Sequence, residues 1–209
     1  MSGLFITLEG GDGSGKSTQA ELLADWLIAA GHTVLRSREP GGTDLGLELR
    51  AIVLHRRGAI TPRAEALIYA ADRAQNIATT VRPALARGEI VLQDRYLDSS
   101  VAYQGTARGL GADAVRDLSL WAADGLMPDL TVLLDLDEAI GRSRLDGART
   151  QYDRLEAEEQ TFHARVRAAY LDLAAAEPDR FVVLDAAASA ESIAAAIRDR
   201  VAPLLPSLH

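Results

Sequence analysis

Short apolar runs alternate along this chain with longer amphipathic stretches. LFITLE (Leu4–Glu9) is an apolar run that stops at a glycine-rich loop, as a strand buried on both faces does. STQAELLADWLIAAG (Ser17–Gly31) repeats its apolar residues at helical spacing and stops at a glycine. The same alternation predicts strands at His32–Glu39, Glu89–Asp94, Asp129–Leu136 and Arg180–Ala186. It predicts helices at Asp44–His55, from Pro62 to about Leu85, across GADAVRDLSLWAADG, and from near Asp137. Pro62 suits a first helical turn after the cap Thr61. RLEAEEQTFHARVRAAYLDLAAAEP, from Arg154, reads as one long helix ending before Pro178, and SAESIAAAIRDRVAPLL as a closing helix. Buried strands interleaved with helices predict an α/β fold, a five-stranded parallel sheet flanked by helices on both faces. No linker, internal repeat or low-complexity tract divides residues 1–209, so a single domain is expected.

Composition narrows the function classes. The 209 residues are 48% apolar and carry a formal net charge of −8, a poor balance for a general nucleic-acid binder. There is no cysteine, which excludes disulfides, thiolate catalysis and a cysteine zinc site, and fits a reducing compartment. Neither a secretory signal nor an apolar segment near the ~20 residues of a membrane span is expected. His32, His55, His163 and His209 have no metal-ligand spacing. Lys16 is the only lysine, and it lies inside the glycine-rich loop.

That loop, EGGDGSGKST, matches G-x-x-x-x-G-K-[ST] from Gly10 through Gly15, Lys16 and Ser17, between a strand and a helix. Glycines let successive N–H groups of Gly10, Gly11, Asp12, Gly13, Ser14 and Gly15 curl round phosphate oxygens, and Thr18 opens the helix behind them. Lys16 suits the β- and γ-phosphates of a nucleotide, and Ser17 suits Mg²⁺. Asp12 sits awkwardly here. Two like charges about 6 Å apart repel by roughly 3 kcal/mol at an effective dielectric of about 20.

No N-K-x-D segment for guanine is present, and the chain is short for a motor-type ATPase. REPGGT (Arg38–Thr43), DRYLDSSVAYQG (Asp94–Gly105) and PDLTVLLD (Pro128–Asp135), together with the phosphate loop, resemble the bacterial thymidylate kinases, in order and spacing from about Phe5 to the final helix. The resemblance implies a P-loop NTPase-type three-layer fold with a mobile lid near 142–155. It implies transfer of the γ-phosphoryl group of ATP to dTMP with Mg²⁺, in a cytoplasmic homodimer.

Residue by residue, the resemblance implies the following roles. Asp94 is a carboxylate near Mg²⁺, and Arg95 and Arg50 hold the dTMP phosphate. Glu39 and Pro40 line the acceptor sugar and base. Tyr69 stacks on thymine, where the family often has phenylalanine, and Arg73 stands beside a thymine carbonyl. Ser99 and Ser100 bond near the base, Tyr103 fills the place of a ribose 2′-OH, and Gln104 touches pyrimidine or sugar. Asp12 faces the dTMP 3′-OH and the phosphate-binding arginine. The loop has no arginine at positions 11–14, so the lid supplies it, from Arg149 or Arg154; Arg142 packs on adenine. Without the resemblance, Arg95 and Arg50 read as surface arginines, Tyr69 as core, Ser99–Gln104 as helix ends, and Arg142, Arg144, Arg149 and Arg154 as a solvated charge run. A kinase preferring dUMP or dCMP, or a P-loop ATPase used as a switch, remains a rival reading.

Overall fold

The structure is a computed structural model that describes residues 3–56, 58–148 and 153–206. Five parallel strands form one sheet: β1 (Leu4–Gly10), β2 (Val34–Arg38), β3 (Ile90–Asp94), β4 (Leu130–Asp135) and β5 (Phe181–Asp185), in the order β2-β3-β1-β4-β5. The helices are α1 (Lys16–Ala29), α2 (Asp44–His55), α3 (Pro62–Asn76), α4 (Arg82–Ala86), α5 (Leu97–Ser100), α6 (Ala112–Ala122), α7 (Glu138–Ala148), α8 (Gln160–Ala176) and α9 (Ala190–Val201).

Strand alternation sorts the core. Ile6, Leu8, Leu92 and Val132 face α1 and α9, where they meet Leu23, Leu27, Ile193 and Ile197. Phe5 and Val91 point to the other face and meet Ile77, Val81 and Leu97. Leu133 and Phe181 on that face meet Val166 and Tyr170 of α8. Both faces are therefore covered over the central strands β1, β3 and β4, which are mostly apolar, while the edge strand β2 carries Arg36, Ser37 and Arg38. The chain leaves β1 toward β2 on one side, and β4 lies on the other, so a crevice opens at the carboxyl end of β1.

Three boundaries differ from the sequence expectation. The helix expected from Arg154 begins only at Gln160. Asp153 Oδ1 accepts the N–H groups of Leu155 and Glu156, both at 2.9 Å, and this side-chain capture folds a turn in place of helix. The arginine-rich break expected from 142 is still helix through Ala148. The helix expected from Pro62 to Leu85 contains a π-helical stretch at Ile77–Val81, and α5 runs into a second at Val101–Ala107. Such widened turns re-aim side chains. The second one carries Tyr103 and Gln104.

Candidate active site

The site grows from the carboxyl ends of β1, β2 and β3, where Leu8, Arg38 and Asp94 lie in register. β1 feeds the glycine loop. Gly13 has φ +77°, and a Cβ there would stand 2.6 Å from the carbonyl oxygen of Gly141 in α7. Only glycine lets the loop turn and α7 lie so close. Gly10, Gly11 and Ser14 complete the curl, and Gly15, at φ +91°, caps α1. Lys16 Nζ folds back over the loop to the carbonyls of Gly10 and Gly11, at 3.1 and 2.8 Å. Burial, joined by repulsion from Arg95, pushes its pKa down to about 8 despite the nearby acids.

Ser17 Oγ donates to Asp94 Oδ2 at 3.4 Å, while Asp94 Oδ1 is buried without a hydrogen-bond partner among the described residues. A hydroxyl beside an unsatisfied carboxylate oxygen fits Mg²⁺, which takes few protein oxygens and completes its shell with water and phosphate. Among the described residues no trio of acids and histidines forms a metal site of its own.

Arg95 follows in the left-handed region, φ +67°, which is rare for a side chain of this size. Its N–H donates to Leu8 O at 3.0 Å. The carboxylate of Glu9 takes the next N–H, of Tyr96, at 2.7 Å, and the hydroxyls of Ser99 and Tyr170 at 2.6 and 2.9 Å. Thus Glu9, fully buried, pins the backbone on which Arg95 turns. Burial, reinforced by Asp98, pushes the Glu9 pKa up to about 7. The Arg95 guanidinium donates to Asp12 Oδ1 at 2.5 Å and to Ser99 and Tyr170 at 3.2 and 3.3 Å, and lies 5.2 Å above the Tyr103 ring. Burial pushes Asp12 up, but Arg95 and then Lys16 more than offset it, so Asp12 is held below the usual carboxylate range.

A cleft of about 440 Å³ joins these groups to the far wall. Asp12, Gly13, Gly15, Lys16, Ser17 and Thr18 line one side. Glu39, Pro40, Arg50, Tyr69, Arg73, Asp94, Arg95, Ser99, Ser100, Tyr103 and Gln104 line the rest, so residues far apart in sequence share one space. Arg50 donates to Pro40 O at 2.9 Å; burial chiefly, and then the nearby Arg38, lower its pKa. Arg73 is buried, held by Glu39 at 2.9 Å, Ser119 at 3.0 Å and Ser100 at 3.1 Å. Gln104 Nε2 donates to Glu65 at 2.8 Å.

The arginines expected on the lid go to different places. Arg144 reaches the loop: it donates to Gly13 O at 3.3 Å and Ala186 O at 3.0 Å. Arg142 turns the other way, donates to Glu156 O at 2.9 Å, and lines a smaller cavity between β4, α7 and α8. Arg154 donates to Val53 O at 2.8 Å and pairs with Glu65. Arg149 lies outside the described residues. Sequence reasoning missed Arg38 and the Arg144 contact. Arg38 had a usable signal, since it is the last residue of a parallel strand, where ligands of open α/β sheets gather.

Comparison with known proteins agrees with this arrangement. The family model described as thymidylate kinase matches residues 8–197. A thymidylate kinase of Leifsonia xyli subsp. xyli is 72% identical over 199 residues, covering 95% of this chain and 94% of that one. One of Bifidobacterium longum is 53% identical over 208 residues, covering 98% and 100%. The crystal structure of thymidylate kinase from Ehrlichia chaffeensis superposes with a TM-score of 0.78 at 29% identity, covering 96% of this chain and 99% of that one. With a matching family model, near full-length relatives and the same fold, the chain belongs to the thymidylate kinase family.

Proposed function

We propose that this chain transfers the γ-phosphoryl group of ATP to dTMP, giving ADP and dTDP. The observation that carries the reading is the pairing of two anion-seeking clusters across one cleft: the glycine loop with Lys16 on one side, and Arg38, Arg50 and Arg95 on the other. An enzyme joining two phosphate-bearing substrates needs both. ATP lies on the loop, with the N–H groups and Lys16 on its phosphates. Ser17 and Asp94 would hold Mg²⁺, which when bound polarises phosphate oxygens and offsets their charge. Arg50 and Arg95 orient the dTMP phosphate, and guanidinium forks suit that task. No strong general base is required, because the attacking phosphate is already ionised.

Asp12 has a double task in this reading. It holds Arg95 in place and offers its second oxygen, near Tyr103 OH, to the acceptor's 3′-OH. Glu39, Pro40, Tyr69, Arg73, Ser99, Ser100 and Gln104 form the thymine and sugar wall, and Tyr103 excludes a ribose 2′-OH. Segment 142–155 serves as a lid over a single kinase domain, excluding water from the transfer. Of its arginines, Arg144 supports the loop and Arg154 is tied to Glu65 and Val53, so of the two candidates for the transferred group Arg149 is favoured, with Arg142 for the adenine side. A homodimer fits the exposed apolar residues Leu45 and Leu47 of α2, Leu67 of α3 and Trp121 of α6, on helices that pack side by side. A cytoplasmic setting fits the substrates and the lack of cysteine; among the described residues no helix is long and apolar enough to cross a membrane.

A coupled assay of ATP with a panel of nucleoside monophosphates tests the assignment. The expected result is the highest kcat/KM with dTMP. Higher efficiency with dUMP or dCMP, or ATP turnover that needs no acceptor, overturns it.

A further inference from the structure

Helix α3 carries an acid that none of the roles above employs. Glu65 is fully buried, one turn before Tyr69 and two before Arg73, on the helix face that walls the cleft. Its Oε1 accepts from Gln104 Nε2 at 2.8 Å and from Arg108 Nε at 3.4 Å. Its Oε2 accepts from Arg154 Nη2. Three donors thus converge on one carboxylate from two separate parts of the chain.

Each donor is itself tied to the rim of the cleft. Arg154 adds bonds from its Nε to Val53 O at 2.8 Å and from its N–H to Leu54 O at 3.2 Å. Arg108 reaches on to Glu158 at 2.6 Å and covers the Phe162 ring at 4.6 Å. Glu65 therefore grips the Asp153–Glu158 turn at both ends. Asp153, Leu155 and Glu156 of that turn line the cleft, as does Gln104.

We propose that Glu65 is a positioning residue that locks the Asp153–Glu158 turn and the Gln104 amide to one another across the acceptor side of the cleft. The kinetic part of this inference rests on the dTMP kinase reading; the structural part does not. The chemistry demands a carboxylate. All three partners are donors, so the group between them must be acceptor only. A neutral glutamine presents an NH₂ to at least one donor, and leaves two half-buried arginines with less countercharge. The same logic fixes Gln104: its NH₂ is drawn to Glu65, so its carbonyl oxygen turns away from that carboxylate. Arg154 in this arrangement is an anchor for the turn.

The test uses the full chain with Glu65→Gln, Arg154→Leu and Arg154→Lys, read by amide hydrogen exchange without substrates and by steady-state kinetics. In Glu65→Gln and Arg154→Leu, exchange at Arg154 or its replacement, Leu155 and Glu156 is expected to quicken at least about tenfold, and Glu65→Gln raises KM for dTMP at least about tenfold while KM for ATP holds. The fraction of ATP hydrolysed without transfer rises as well, a change that a loss of fold stability alone does not produce. Arg154→Lys, keeping the charge, recovers part of the protection. Wild-type exchange and wild-type KM for dTMP in Glu65→Gln overturn the proposal. If that variant does not fold, wild-type exchange in Arg154→Leu overturns it instead. Should the wild-type chain fail to phosphorylate dTMP, the function assigned above falls, while the exchange measurements still decide the role of Glu65.

Discussion

Replacing Glu9 by glutamine gives the sharpest quantitative expectation. Glutamine keeps the shape and an acceptor for the Tyr96 N–H, and its NH₂ can face the hydroxyls of Ser99 and Tyr170, which then accept. Only the charge is lost. Glu9 is raised from 4.5 to about 7 in the folded chain, burial being the main cause. A carboxyl raised on folding binds more protons folded than unfolded, so its contribution is complete below pH 4.5 and is lost as pH rises through about 7. At 1.36 kcal/mol per unit the difference is about 3 kcal/mol. For a chain of this length that is about 7 °C in Tm. Thermal melts of wild type and Glu9→Gln from pH 4.5 to 8 measure it. The variant is expected to gain about 7 °C on the wild type between those limits, because it has no charge to bury at the upper one. A difference between the two proteins that stays within about 2 °C across the range refutes the reasoning. The variant also loses the negative charge beneath Arg95, so the more stable protein is expected to be the poorer catalyst.

Arg95→Ala should raise KM for dTMP at least about tenfold and lower kcat, with KM for ATP little changed; unchanged dTMP kinetics would remove Arg95 from the acceptor site. Asp94→Asn should raise the Mg²⁺ concentration for half-maximal rate at least about tenfold, since the unpaired Oδ1 then belongs to a neutral group; a Mg²⁺ titration matching wild type contradicts that. Trp121 is 81% exposed, and Trp121→Glu should convert a dimer to monomer in sedimentation velocity; a dimer that survives the change puts the interface elsewhere.

How much of this could be read from the chain depends on what each residue touches. The strands were legible because both faces of the sheet are covered, which makes Leu4–Leu8 and Leu130–Leu134 apolar almost without break. The loop was legible because phosphate binding and backbone geometry ask for the same glycines. The start of α8 was not, because the residues from Arg154 have helical composition while Asp153, just before them, captures their N–H groups. Glu65 was illegible as a buried acid, and Glu9, though it ends a strand expected to be buried, gave no sign of its partners. Glu65 at helical spacing reads as a solvent-facing position, and only the folded chain shows three donors converging on each acid. Arg142 and Arg144 are two residues apart and so point to different sides of α7, a split that motif matching does not resolve.

The lone lysine of the glycine loop also makes the protein an unusual chemical target. Lys16 is the only side-chain amine in the chain, and its pKa of about 8 leaves an appreciable share of it nucleophilic in mildly alkaline buffer. An acylating reagent small enough to enter the cleft therefore meets one amine besides the α-amino group, and meets it where ATP would sit. Mass spectrometry of the digested chain can separate an adduct on the α-amino group from the one on Lys16. Its disappearance when ATP is added would turn the loop into its own occupancy gauge, with no engineered label.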